Sequence, residues 1–316
     1  MSGARSTALL VGLLLAIGAA PQLGAISARA AESSCAAKPI GYITVATIND
    51  VPFVTLMANG HPVILVLDTG AERTVLLPQT AERIGARAPQ VEFQQQLRGI
   101  SGSLSTREIE LENFTAGALS IPWHRLLVAP VTAAKVFTTP FDGLLGDDVL
   151  SGFDFDVDLP HQRLTFYERG ACVTAPPWAG PYTAISTGQS RGEHLFFPVK
   201  LNGRDAPAII DSGAQRTTVA RWAANALGIT EALLDHDPTM MTYGATAEQL
   251  KSHIHQFQQL QVGAEVIPHP QLVVSDVKLQ DAAIVLGADF LRSAQIYVSY
   301  ASSEIFLTNR WPPGRH

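Results

Sequence analysis

Two stretches of alternating apolar and polar residues are broken by Asn-Gly: Asn59-Gly60 ahead of Val63 to Leu67, and Asn202-Gly203 ahead of Ala206 to Ile210. Asn-Gly between such runs is the strongest short-range hairpin signal, since both residues accept the positive φ of a tight turn. Each copy therefore predicts a β-hairpin whose second strand runs into an aspartate. The following residues are Asp68-Thr69-Gly70-Ala71-Glu72-Arg73-Thr74 in one and Asp211-Ser212-Gly213-Ala214-Gln215-Arg216-Thr217 in the other. Helical spacing over Pro78 to Ile84 and Arg221 to Leu227, closed by Gly85 and Gly228, predicts one short helix per copy. Further on, Gly143 to Leu150 matches Ile284 to Leu291. Each match precedes a stretch of period two, Phe153 to Phe166 and Ala294 to Leu307, which predicts a half-buried strand.

Four signals recur in the same order, and the first of them at a constant spacing without a gap, so the chain is read as an internal repeat. Short strands between Gly, Pro and Asn turns fill the remainder, which places the chain in the all-β class. With 316 residues there is room for two domains. The boundaries expected are 41–170 for the first lobe, 171–190 for a linker and 191–309 for the second lobe. The linker rests on Ala175-Pro176-Pro177-Trp178-Ala179-Gly180-Pro181, where prolines stiffen the chain and remove ladder donors.

Composition is that of a soluble globular protein, 47% hydrophobic and 16% charged. A net charge of -6 with no basic cluster argues against nucleic acid as a partner, because phosphate binding needs a concentrated positive face. Residues 1–30 read as a cleaved export signal: Arg5, an apolar stretch from Ala8 to Leu23, then Ala28-Arg29-Ala30 as a cleavage site. Gly12, Gly18, Pro21 and Gly24 interrupt that stretch, so it is not read as a retained anchor, and no later segment is long and apolar enough to span a membrane. A periplasmic or secreted location follows. Export also makes the two cysteines, Cys35 and Cys172, a disulfide candidate that would tie the ends of the first lobe together. In the chain-entropy model such a loop is worth about 4 to 5 kcal/mol.

Paired aspartates, one from each copy, suit hydrolysis by water. One ionised carboxylate takes a proton from water while a protonated partner polarises a carbonyl, and two carboxyls about 3 Å apart share one proton because both cannot ionise. Gly70 and Gly213 permit a sharp turn and bring backbone N–H groups near the acids. The Thr69 and Ser212 hydroxyls are placed to hydrogen-bond across to the other copy's backbone.

These residues resemble the pepsin and retropepsin superfamily, and most of all the exported bacterial retropepsin-like proteases. The resemblance rests on Asp68-Thr69-Gly70-Ala71 and Asp211-Ser212-Gly213-Ala214, each after a hydrophobic strand, and on Leu144-Leu145-Gly146 and Val285-Leu286-Gly287. It implies two tandem retropepsin-like β-barrel lobes and an aspartic endopeptidase. Asp68 and Asp211 would be the catalytic pair, with Thr69, Gly70, Ser212 and Gly213 supporting them. Water would act without a covalent intermediate, metal or cofactor, on a peptide or protein held in extended conformation. The resemblance also implies a hairpin flap over the cleft, for which Leu97 to Thr106 with Gly99, and Met241 to Gln249 with Tyr243 and Gly244, are the candidates. Pepsins have Ser or Thr after the triplet where this chain has Ala71 and Ala214. Losing that hydrogen bond to the ionised form leaves the pair less acidic, so the expected optimum is mildly acidic to near-neutral.

His253 and His255 alternate as on a strand, but no third metal ligand accompanies them, and they are read as a solvent face. Asp147, Asp148 and Asp289 are read as satisfied turn and cap residues. With both halves in one chain, catalysis needs no homodimer, and a monomer is expected. A rival reading is a non-catalytic periplasmic protein that binds a peptide or partner in the same two-lobed cleft, although retention of both aspartates argues against it. In another, the lobes separate and each pairs with a lobe of a second molecule.

Overall fold

The computed structural model describes residues 37–90, 95–99, 102–131, 139–170, 175–178, 180–189, 194–244, 249–279 and 282–308. The expected leader over 1–30 and both cysteines, Cys35 and Cys172, lie outside them.

The first expected hairpin forms from Val51–Ala58 and His61–Leu67, in antiparallel register from Phe53 opposite Val66 to Ala58 opposite His61. Its turn residues lie in the left-handed region, with φ of 49° at Asn59 and 78° at Gly60. The second hairpin, Leu195–Leu201 with Arg204–Ile210, turns through Asn202 at 50° and Gly203 at 79°. Asparagine does more than turn the chain. Asn59 Oδ1 accepts from the Glu112 N–H at 2.7 Å, and Asn202 Oδ1 accepts from the Gln258 N–H at 2.8 Å, so each turn is anchored to a later segment of its own half.

Beyond the hairpins the two halves wind alike. Gly143–Leu145 lies parallel to His61–Leu67 and antiparallel to Val75–Leu76; Ile284–Leu286 does the same between Arg204–Ile210 and Thr218–Ala220. Outward from Val75–Leu76 come Arg125–Val128, Gly102–Glu110 and Gln95–Gly99. Outward from Thr218–Ala220 come Gln271–Ser275, Gln249–Gln256 and Thr239–Tyr243. Pro78–Arg83 and Arg221–Ala226 are the expected helices, each followed by a left-handed glycine, Gly85 and Gly228. The fold is mostly β, with two sheets and short helices, as the all-β reading with two repeated lobes expected. No helix among the described residues is long and apolar enough to cross a membrane.

Three readings of the pattern change in the folded chain. The period-two stretches are each two strands, Asp154–Asp158 with Arg163–Tyr167 and Ile296–Ser299 with Glu304–Thr308, folded back at left-handed Gln162 and Ser303. These hairpins join edge to edge, Phe155 opposite Val298, so one sheet continues from the first half into the second. Tyr182–Ser186, inside the stretch expected to be a linker, is a strand of that sheet, paired with Glu304–Thr308. His253 and His255 do not form a solvent face: His253 is buried with Nδ1 2.7 Å from the Leu234 carbonyl, and His255, partly buried, has Nδ1 2.6 Å from Asp237 Oδ2.

The joining sheet is buried on both faces. Phe155 and Val157 enter the main core with Ile296 and Val298. The other face carries Asp154, Asp156 and Asp158 near a cluster of Tyr167, Tyr297 and Phe306. Asp154 is well served, accepting from the Ser299 hydroxyl and the Tyr300 N–H, both at 2.9 Å. Asp156 accepts from Gln295 Nε2 at 2.7 Å through Oδ2, while its Oδ1 is buried without a partner. Burial pushes the Asp156 carboxyl up to about 7 despite the Gln295 bond. Its folded pKa lies above the unfolded one, so the fold favours the protonated form and loses stability as pH rises from about 4 to about 7. Asp156→Asn is therefore expected to raise stability at pH 8 by about 4 kcal/mol relative to its effect at pH 4, read by thermal unfolding at both. An equal effect at the two pH values would refute the assignment.

Candidate active site

Each aspartate sits at the end of a strand held on its far side by the Gly-ended strand of its own half. The Asp68 N–H donates to the Leu145 carbonyl and the Asp211 N–H to that of Leu286, both at 3.0 Å. The glycines that end these strands are required by close approach: a Cβ on Gly146 would lie 2.6 Å from the Arg73 carbonyl carbon, and one on Gly287 2.6 Å from that of Arg216. The loops are fastened again from below. Thr74 N–H and Oγ1 both donate to Asp148 Oδ1 at 2.7 Å, with Arg73 Nε on Oδ2 at 3.1 Å; Thr217 N–H and Oγ1 donate to Asp289 Oδ1 at 2.8 Å. Asp148 and Asp289 are thus the satisfied turn residues expected of them.

The two loops meet. A Cβ on Gly70 would stand 2.2 Å from Asp211 Cγ, and one on Gly213 would stand 2.6 Å from Asp68 Cγ. Only glycine leaves room for each carboxyl against the opposite loop, and the two carboxyls hydrogen-bond to each other. Beside them the hydroxyls interlock. Thr69 Oγ1 donates to the Ile210 carbonyl at 2.9 Å and accepts from the Ser212 N–H at 3.0 Å; Ser212 Oγ donates to the Leu67 carbonyl at 2.6 Å and accepts from the Thr69 N–H at 3.1 Å. Both side chains are buried, so these four bonds between halves are shielded from water.

Electrostatics follow from this crowding. Asp68 is held well above the usual carboxylate range, first by burial and then by the charge of Asp211; the Gly70 N–H, 3.2 Å from Oδ1, pulls the other way. Asp211 is also raised by burial, opposed by the Ala214 N–H at 3.0 Å from Oδ1. Both residues nevertheless keep part of their surface open to solvent. Such a pair holds one proton between two oxygens, and its titration belongs to the pair.

The expected flap segments are hairpins. Gln95–Gly99 pairs with Gly102–Glu110 up to Gly99 opposite Gly102, and Thr239–Tyr243 pairs with Gln249–Gln256 up to Tyr243 opposite Gln249. Gly244 follows directly, and the tips at 100–101 and 245–248 lie outside the described residues. Tyr243 is exposed. No cluster of three His, Cys, Asp or Glu side chains able to hold a metal occurs among the described residues.

One neighbour of the pair escaped the pattern. Asp147, read as a cap, has its Oδ2 2.8 Å from His194 Nδ1, and Tyr300 Oη donates to its Oδ1 at 3.3 Å. The available signal was an asymmetry, since Ala288 stands where the second copy would repeat Asp147.

Comparison with known proteins agrees with this geometry. A family model described as aspartyl protease matches residues 54–149, and one described as gag-polyprotein putative aspartyl protease matches residues 197–293. Each match contains one of the two aspartate loops and the Gly-ended strand beside it. The solved aspartic proteinase from Irpex lacteus is similar over 85% of this chain and 96% of that one, at 15% identity and a TM-score of 0.48. No curated protein matches. The two family matches fall on successive halves and together take in well over half of the sequence, and the chain belongs to the pepsin/retropepsin-like aspartyl protease superfamily.

Proposed function

We propose that the chain is an aspartic endopeptidase in which Asp68 and Asp211, sharing one proton, activate water for attack on a peptide carbonyl. The observation that carries this reading is the mutual approach of the loops, in which each triplet glycine makes room for the opposite carboxyl. The ionised oxygen takes the water proton and the protonated one polarises the carbonyl, so no covalent intermediate forms. Thr69 and Ser212 keep the two carboxyls in register, since each hydroxyl is bonded to the other half's backbone. The substrate is an extended peptide or protein segment, recognised by main-chain hydrogen bonds with side-chain pockets for selectivity. One chain supplies both carboxylates, so the active unit is a monomer. Removal of residues 1–30 and release to the periplasm or the exterior complete the reading, with Cys35 and Cys172 bridged in that compartment.

The raised carboxyls support an optimum in the mildly acidic to near-neutral range, because a half-protonated pair persists there. Purified mature chain is expected to cleave an unstructured protein such as casein between about pH 3 and about pH 8, with the maximum well above pH 3. Activity confined below about pH 3, or dependent on dimer concentration, contradicts the reading.

A further inference from the structure

The contact between Asp147 and His194 has no counterpart in the repeat: Ala288 occupies the position equivalent to Asp147, and Val51 the one equivalent to His194. Asp147 follows Gly146, and its N–H donates to the Ala71 carbonyl at 2.8 Å, which ties it to the Asp68 loop. His194 directly precedes Leu195–Leu201, whose partner strand Arg204–Ile210 leads straight into Asp211. Each residue is therefore attached to one of the two aspartate loops, and the contact bridges the halves. The His194 and Asp147 side chains are only 13% and 4% exposed, and with Thr69, Ser212 and Tyr300 they line a small cavity against the hydroxyl interlock. A second ion pair between the halves, Asp50 with Arg292, is exposed. Among the described residues, the buried bridge is the ion pair between the halves that contains a histidine, whose ordinary range lies near neutral pH.

We propose that His194 is a positioning residue for the aspartate pair: its imidazolium holds Asp147 across the two halves and favours ionisation of Asp211, so activity follows the protonation of His194. This rests on the peptidase reading above. The charges that act on His194 are those of Asp147, in direct contact with it, and of Glu72 and Asp211. Asp147 in turn meets Tyr300 and lies next to Asp148, which Arg73 neutralises, while Arg169 lies 5.7 Å from the Tyr300 ring centroid. Burial works against the imidazolium, but the hydrogen bond and charge of Asp147, with Glu72 and Asp211, hold His194 above its ordinary value. Asp147 is pushed up to about 6 by burial, against the pull of His194. With both protonated the bridge carries a positive charge. It becomes a neutral ion pair once Asp147 ionises, and turns negative when His194 loses its proton. A cation beside Asp211 favours the ionised carboxylate, and linkage requires that Asp211 favour the imidazolium equally.

The test is a proton NMR titration of the His194 ring in the wild type, Asp147→Asn and Asp211→Asn, together with pH profiles of kcat/KM for casein peptides in the wild type and His194→Gln. His194 is expected to titrate above an ordinary histidine in the wild type and to fall by about half a unit or more in each aspartate variant. In His194→Gln, which keeps a hydrogen-bond donor but no charge, the acidic limb of kcat/KM should move to higher pH by a similar amount. A His194 titration indifferent to Asp211→Asn overturns the proposal. So does a uniformly lower kcat in His194→Gln with unmoved limbs, which is the mark of a structural brace. The ring titration needs no turnover: coupling in a chain that cleaves nothing would support the link between His194 and Asp211 and count against the peptidase reading instead.

Discussion

Asp68→Asn and Asp211→Asn each reduce casein hydrolysis by about a thousandfold or more, with the fold intact. Asparagine fills the same volume beside the opposing glycine, so the loops need not move. It cannot, however, alternate between proton acceptor and proton donor, and a pair with one such member can neither take the proton of water nor return it to the leaving amine. The same substitutions carry a second signature. Both carboxyls are raised in the fold, chiefly by burial, so the native state loses stability as pH climbs above the ordinary carboxylate value. A variant with one ionisable group fewer escapes part of that loss and should unfold at higher temperature than the wild type at pH 7, with a smaller difference at pH 4. Wild-type turnover in either variant would exclude the intramolecular pair.

Ser212→Ala is expected to cost about 2 to 4 kcal/mol and to reduce turnover with it. The side chain is fully buried, and its loss strips the Thr69 N–H of its acceptor and the Leu67 carbonyl of a donor. Each buried group left unmatched costs about 1 to 3 kcal/mol, and water cannot repair either one in place. Thr69→Val acts on the mirror-image bonds to Ile210 and Ser212. Because the four bonds form one network, the double variant should cost clearly less than the two single costs combined, which a denaturant-unfolding cycle measures. Strict additivity, or an unchanged midpoint in Ser212→Ala, would mean that the interlock does not join the halves.

Much of the site is legible in the order of residues because its requirements are local. A left-handed turn asks for Asn-Gly, a loop pressed against a carboxylate asks for Gly, and an apolar run before an acid brings that acid to a strand end. Those demands recur in both halves, which is why Asp68, Gly70, Asp211 and Gly213 stand out and meet in the fold. The two short helices were equally visible, since their periods and stops lie within a few residues, and Leu144-Leu145-Gly146 and Val285-Leu286-Gly287 stood out as a repeated motif.

Other features depended on contacts between segments far apart in sequence. Alternation in the stretch from Phe153 to Phe166 promised one wet face, yet Asp154 and Asp156 are buried, because the equivalent hairpin of the second half extends the sheet beside them. His253 looked solvent-facing on its strand until the turn after Leu234 brought a carbonyl against its ring. Asp147 resembled its neighbour Asp148, and apart from Ala288 at the equivalent place in the second copy nothing marked that one would clamp its own loop while the other reached His194 in the opposite half. The sequence by itself therefore determined the repeat, the strand-borne aspartates and the glycines between them, because local backbone geometry and short-range periodicity specify these. Tertiary structure alone decided which acids are buried and which residue each one meets, because burial and charge pairing are set by whatever distant segment packs alongside.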